Sequence, residues 1–140
     1  MYTSGAIILT DDGDFVYKIT HPKYEITKTY TVTIKGEISK EEIESLEKGV
    51  DIGEGVTSPA KIKILRSGFN DPKINCTTSR LEITIHEGKN RQIRRMCDKI
   101  GKKVLALHRS KIGNIDLKGL KIGEWRYLKK EEIGELYGRR

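Results

Sequence analysis

Two periods alternate along this chain. From Lys28 to Lys35 (KTYTVTIK), Tyr30, Val32 and Ile34 fall on one side and Thr29, Thr31 and Thr33 on the other. Period two predicts a strand, ended by Gly36. Residues 60–67 (AKIKILRS) and 77–86 (TTSRLEITIH) repeat the pattern, the latter through Leu81, Ile83 and Ile85. Val104 to Ile112 reads as another strand and Trp125 to Leu128 as a short one. Gly5 to Thr10 (GAIILT) is an apolar run closed by Asp11-Asp12-Gly13, which predicts a buried strand near the start.

Helical spacing occupies the gaps. Asp14 to Thr20 predicts a short helix with an aspartate cap, stopped before Pro22. Ser39 and Glu42 make a Ser-x-x-Glu capping box ahead of Ile43 and Leu46, with Gly49 at the stop. Ile93, Met96, Cys97 and Ile100 are spaced i, i+3, i+4, i+7, one apolar face of a helix ending at Gly101. Glu131 to Tyr137 predicts a terminal helix. Residues 51–60 (DIGEGVTSPA) and 68–75 (GFNDPKIN) read as loops. Strands and helices interspersed irregularly, with hairpin-like returns, predict an α+β fold with a mixed, largely antiparallel sheet and flanking helices.

Composition narrows the class. A chain of 140 residues suits one domain with a real core. No apolar stretch approaches the roughly 20 residues of a membrane span, and the start lacks a basic-then-apolar leader layout, so a cytoplasmic location and no membrane partner are expected. Cys76 and Cys97 form no CxxC and are expected to be reduced, partly buried thiols. His21, His86 and His108 lie far apart in sequence, and no metal is expected. Asp11-Asp12-Gly13-Asp14 lacks calcium-loop spacing and reads as a turn with a helix cap.

Charge adds direction. The net charge is +7, and it is segregated. Nine basic residues between Lys89 and Lys111 stand against Asp98 alone, whereas seven acidic residues crowd positions 37–54. Such a patch favours a polyanion, and structured RNA suits it better than a membrane surface, since no helix pairs a basic face with Trp or Phe. The densest signal is Gly88-Lys89-Asn90-Arg91-Gln92-Ile93-Arg94-Arg95-Met96. Its glycine admits close backbone approach, and its arginines flank the apolar stripe, placed to grip phosphates or to hold a carboxylate. The blander reading is a solvated basic helix face. Tyr30 shares a face with core residues and is either packing or a surface on which a base stacks.

Four stretches together resemble the catalytic domain of the pseudouridine synthases that modify ribosomal RNA: TSGAIILTDDG (3–13), HPKYEITKTYTV (21–32), EGKNRQIRRM (87–96) and VLALHRSKIGNIDLKGLKIGEWRYL (104–128). They span nearly the whole chain in order, and the third is the most diagnostic. The family's first motif reads Gly-Arg-Leu-Asp, two variable residues, Thr, one residue and Gly. Thr3 and Gly5 match its second half, so the resemblance puts the family's nucleophilic aspartate immediately before Met1. The chain is therefore expected to be a partial catalytic domain, without an N-terminal RNA-binding domain or the start of the catalytic one, and inactive by itself. Asp11 and Asp12 lie roughly 30 Å along an extended chain from that point, too far to substitute.

The resemblance implies a chemistry. The aspartate attacks the ribose or the base of a flipped uridine, the glycosidic bond breaks, the uracil turns and a carbon–carbon bond forms, with no cofactor. It implies that Tyr30 packs on the target base and assists proton removal, and that Arg94 pairs with the aspartate. Lys89, Arg91, Gln92 and Arg95 support the motif and the RNA backbone. Leu105 or Leu107 lines the uracil pocket, and Thr3, Asn90 and Arg109 join the substrate- and RNA-binding set. Tyr30 and Arg94 are expected to converge on one cavity beside the amino-terminal end. The partner is ribosomal RNA and the chain is expected to be monomeric. The alternative is a non-catalytic RNA-binding module using residues 89–111. A DNA-recognition helix is disfavoured, because the helix turns Ile93, Met96 and Cys97 inward.

Overall fold

A computed structural model describes residues 2–21, 26–88 and 91–138. The strands are β1 (Tyr2–Gly5), β2 (Lys28–Lys35), β3 (Lys61–Asp71), β4 (Cys76–Ile85), β5 (Val104–Ile112) and β6 (Ile115–Asp116). The helices are α1 (Gly13–Thr20), α2 (Lys40–Lys48), α3 (Gln92–Lys99) and α4 (Lys130–Gly138). One sheet runs β1-β5-β2-β4-β3, with β6 attached to β5. Among the described residues, only the β1–β5 pairing is parallel; the others are antiparallel. The fold is the expected α+β, with a mixed and largely antiparallel sheet.

Local chemistry explains the elements that the pattern anticipated. β2 and β5 occupy the expected residues. The Ser39 hydroxyl accepts from the Glu42 N–H while the Glu42 carboxylate accepts from the Ser39 N–H, closing the capping box of α2. Asp12 caps α1 by accepting from the N–H groups of Asp14 and Phe15.

Three expectations are corrected. The first strand is Tyr2–Gly5, not Gly5 to Thr10. Pairing with β5 runs through Gly5, the Ala6 N–H makes one more bond to the Arg109 carbonyl, and the chain then leaves the sheet with Ile7 75% and Leu9 85% exposed. Residues 68–71 extend β3 into a hairpin whose turn is confined to 72–75. Trp125 to Leu128 is not a strand. Its alternation arises because Arg126 turns to a bidentate pair with Glu132 while Trp125 and Tyr127 point to solvent. The two-residue β6 was not anticipated.

Among the described residues, two apolar clusters form the core. In the larger, Val32, Ile34, Leu81 and Ile83 of the central strands pack against Leu46 of α2 and Ile93, Met96 and Cys97 of α3. The smaller gathers Phe15 of α1 and Leu136 of α4 around Ala6, Ile26, Ile112 and Ile115. β1 seats very closely on β5 at Gly5. A Cβ at Gly5 would lie 2.5 Å from the Arg109 amide nitrogen, and its φ of +144° also disfavours a side chain. Arg109 grips the same junction, its Nε donating to the Ala6 carbonyl at 2.9 Å and its Nη2 joining it.

Candidate functional site

β2 turns Tyr30 toward the α3 side of the sheet, two residues from Val32 on the same face. Across the ladder Tyr30 faces Arg109 of β5 and Ile83 of β4. A cavity of about 180 Å³ opens there, lined by Lys28, Tyr30, Ile85, Gly88, Arg91, Gln92, Ile93, Leu107 and Arg109. Its floor is aliphatic, one wall is a phenol, and three cations face it. Among the described residues, no carboxylate lines it.

The wall at the start of α3 is held by a buried polar bridge. Gln92 is 3% exposed, and its Nε2 donates to Glu87 Oε2 at 3.1 Å. The same oxygen accepts from the Ser58 N–H at 2.5 Å, tying loop 51–60 to the helix entry. A buried amide needs such partners, because leaving it unpaired costs on the order of 1–3 kcal/mol. Arg91 precedes the helix with φ +52° and ψ +34°, a left-handed conformation that costs a non-glycine residue roughly 1–2 kcal/mol. Backbone strain of this kind concentrates where a side chain must be aimed.

Lys28 was not singled out from sequence. Its place two residues before Tyr30 on one face of β2 is the signal that identifies it. Half-burial, and then the Arg109 guanidinium, push its ammonium below its ordinary pKa.

A second cavity, of about 450 Å³, lies farther along α3. Arg91, Arg94, Asp98, Gly101, Lys102, Lys103 and Val104 line it. Arg94 therefore does not line the Tyr30 cavity, contrary to expectation; Arg91 is the residue the two cavities share. The reason is helical. Arg94 sits nearly a turn beyond Arg91 and faces the Val104 end of β5, about 17 Å of strand from Arg109.

The other anticipated residues divide. Leu107 lines the Tyr30 cavity and Leu105 lines neither. The β2–β5 register shifts between Thr33 and Ile34, passing over Leu105. Arg95 turns away, its Nη1 pairing with Glu54 at 2.9 Å and its Nη2 donating to the Ile52 carbonyl, so it fastens loop 51–56. Thr3 lies beside Leu107 in the parallel pair. Lys89 and Asn90 lie outside the described residues. Cys76 is half-buried at the start of β4 and Cys97 is buried in α3, both as free thiols. Among the described residues, no three His, Cys, Asp or Glu side chains gather as a metal-ligand set, and no helix is long and apolar enough to cross a membrane.

Comparison with known proteins places this geometry. The sequence model of a family described as RNA pseudouridylate synthase matches residues 1–99. The ribosomal large subunit pseudouridine synthase B of Bacillus subtilis (strain 168) is 46% identical over 134 residues, covering 96% of this chain and 53% of that protein. The ribosomal small subunit pseudouridine synthase A of Vibrio vulnificus (strain CMCP6) is 38% identical over 138 residues, covering 96% of this chain and 55% of the relative. A crystal structure of a pseudouridylate synthase superposes with a TM-score of 0.82 at 35% identity, covering 94% of this chain and 54% of the other. The chain thus spans about half the length of the relatives it matches.

Proposed function

The chain belongs to the RNA pseudouridylate synthase family, and on that premise we propose that it is the larger part of a catalytic domain that isomerises uridine to pseudouridine in ribosomal RNA. The observation that carries the reading is the cavity in which Tyr30 and Leu107 stand beside the three cations Lys28, Arg91 and Arg109. An aromatic and aliphatic slot accepts a flipped base, and the cations suit the backbone it is drawn from.

The reaction rearranges one nucleotide. The bond from C1′ to N1 breaks, a bond from C1′ to C5 forms, the C5 proton leaves and N1 gains one. In this reading Tyr30 packs on the uracil and assists removal of the C5 proton. Leu107 closes the slot, Gln92 fixes its helical wall, and Arg91 and Arg109, with Lys89 and Asn90, meet the RNA. Arg95 supports the site indirectly through loop 51–56.

The carboxylate of the reaction belongs to the residue before Met1. Strand register supports that assignment. β1 runs parallel to β5 and begins with Tyr2 beside Ala106, toward the Val104 end of β5, and Val104 lines the Arg94 cavity. There Arg94 holds the carboxylate with its planar fork, while Arg91 joins that corner to the base slot. In this reading the partner is ribosomal RNA, the location is the cytoplasm and the protein is a monomer.

The test is to prepare the protein with Gly-Arg-Leu-Asp and its preceding domain restored and to follow tritium release from C5-labelled uridine in ribosomal RNA. The restored protein is expected to release tritium, and the 140-residue chain to bind RNA without release. Turnover by the 140-residue chain alone would overturn the carboxylate assignment. A restored protein that binds but never isomerises would favour the second reading, an RNA-binding module, which the cationic cavity also supports.

A further inference from the structure

We propose that Lys28 and Arg109 form a phosphate clamp, holding the sugar–phosphate backbone next to the nucleotide whose base lies on Tyr30. The inference rests on the reading of this cavity as the slot for a flipped uridine, and it assigns a ligand to Lys28.

Lys28 and Tyr30 are two apart in β2, and Arg109 stands opposite Tyr30, so both cations flank the phenol from neighbouring strands. All three line the same cavity. The Lys28 Nζ lies over Gly88, 3.8 Å from where a side chain on that glycine would begin. Among the described residues it has no hydrogen bond and no ion pair. Arg109 is oriented by its Nε and Nη2 contacts to the Ala6 carbonyl, which leave its Nη1 without a partner among the described residues. A held guanidinium and a half-buried ammonium thus face one space, with no acidic neighbour lining it among the described residues.

Two like charges held together out of water disfavour each other. Half-burial and Arg109 both bear down on the Lys28 ammonium, and an anion between the two relieves both effects. The space is small: about 180 Å³ is well below the roughly 300 Å³ at which sites for drug-sized ligands begin. A guanidinium fork supplies direction and an ammonium supplies a point charge, and the pair suits one phosphodiester better than a neutral carbonyl of the base.

The experiment uses the 140-residue chain and a short single-stranded RNA with one central uridine. Three RNAs are compared with the parent: one with a neutral methylphosphonate on the 5′ side of the uridine, one with it on the 3′ side, and one with the uracil removed. Neutralising one of the two linkages is expected to weaken wild-type binding about tenfold, as loss of a charge-assisted bond does. Lys28→Gln is expected to bind the parent about tenfold more weakly and to be indifferent to that same linkage, the signature of a coupled pair. Lys28→Arg is expected to restore the sensitivity, which separates lost charge from lost fold.

Two results would overturn the clamp. One is Lys28→Gln remaining as sensitive as wild type to both linkages. The other is coupling of Lys28→Gln to uracil removal instead, which would assign Lys28 to the base. The functional reading fails separately: if the RNA lacking uracil binds as tightly as the parent, the slot is not a base pocket, whatever the phosphate result.

Discussion

Tyr30 and Arg109 stand directly opposite each other in the β2–β5 ladder and line one cavity. The phenol thereby has a guanidinium on the neighbouring strand, and both rise from one sheet. Their backbones are tied by the strand ladder, which fixes where the two side chains start.

That arrangement separates two roles of Tyr30. In the protein with its preceding segment restored, Tyr30→Ala is expected to weaken RNA binding by about 1–3 kcal/mol, the scale of one base stacked on an aromatic ring, and to abolish turnover. Tyr30→Phe is expected to keep the binding and still lose most of the turnover. Filter binding and tritium release on one RNA check both, and a fully active Phe variant would remove the hydroxyl from the reaction.

Arg94 is expected to behave differently, because it lines the neighbouring cavity. In the restored protein, Arg94→Ala should lower turnover by roughly a hundredfold or more, as loss of a preorganised electrostatic partner does, while RNA affinity changes within about threefold, as a site apart from the base slot requires. Single-turnover kinetics with RNA in excess resolve the two. Equal losses in affinity and in turnover number would show that Arg94 grips RNA instead.

Glu132 links the fold to pH. Its two oxygens accept from Arg126 at 2.8 and 2.7 Å, and one also accepts from the Lys129 N–H. These bonds, the Arg126 pair foremost, hold its carboxyl at about 2, below the ordinary 4.5. A carboxyl depressed on folding contributes stability that is complete above its unfolded pKa and lost as pH falls through the folded one. Glu132→Gln is therefore expected to be less stable than wild type at pH 6, with the gap closing between pH 4.5 and 2. Urea midpoints across that range measure it, and a gap that widens on acidification would contradict the assignment.

Cys97 is fully buried in α3, and burial, followed by the Asp98 charge, pushes its thiol up to about 12. The thiolate is the reactive species, so iodoacetamide near pH 8 is expected to label half-buried Cys76 and spare Cys97 until the chain unfolds. Mass mapping of the labelled peptides reads this directly. Labelling of both at one rate in the native protein would mean that α3 opens readily.

The sequence was most legible where structure is local. The alternation of Lys28–Lys35 and the Ser39–Glu42 box are complete within a few residues, and both elements formed where expected. It was least legible where a distant partner decides. Tyr2–Gly5 is a strand because residues 106–109 pair with it, whereas the more apolar Ile7 and Leu9 have no sheet to join. The Trp125–Leu128 alternation came from a salt bridge, which leaves the same period two as a strand. Within the site, Tyr30, Arg91, Gln92, Leu107 and Arg109 came together. Arg94 went to the adjoining cavity because a helix turn, unlike a motif, has a direction in space. Lys28 begins the strand in sequence, and its spacing from Tyr30 places it on the same face.

The tight seat of Gly5 on Arg109 bears on what mutation can explore. Every amino acid reachable from a glycine codon by one base change brings at least a β-carbon, and any β-carbon there collides with the backbone of residue 109. The strand carrying the chain's beginning would be wedged off its neighbour, and the guanidinium clasped at that seam would swing with it. A saturation survey of this gene should find codon 5 as intolerant as codon 30, silenced by geometry although glycine has no side chain to offer an RNA.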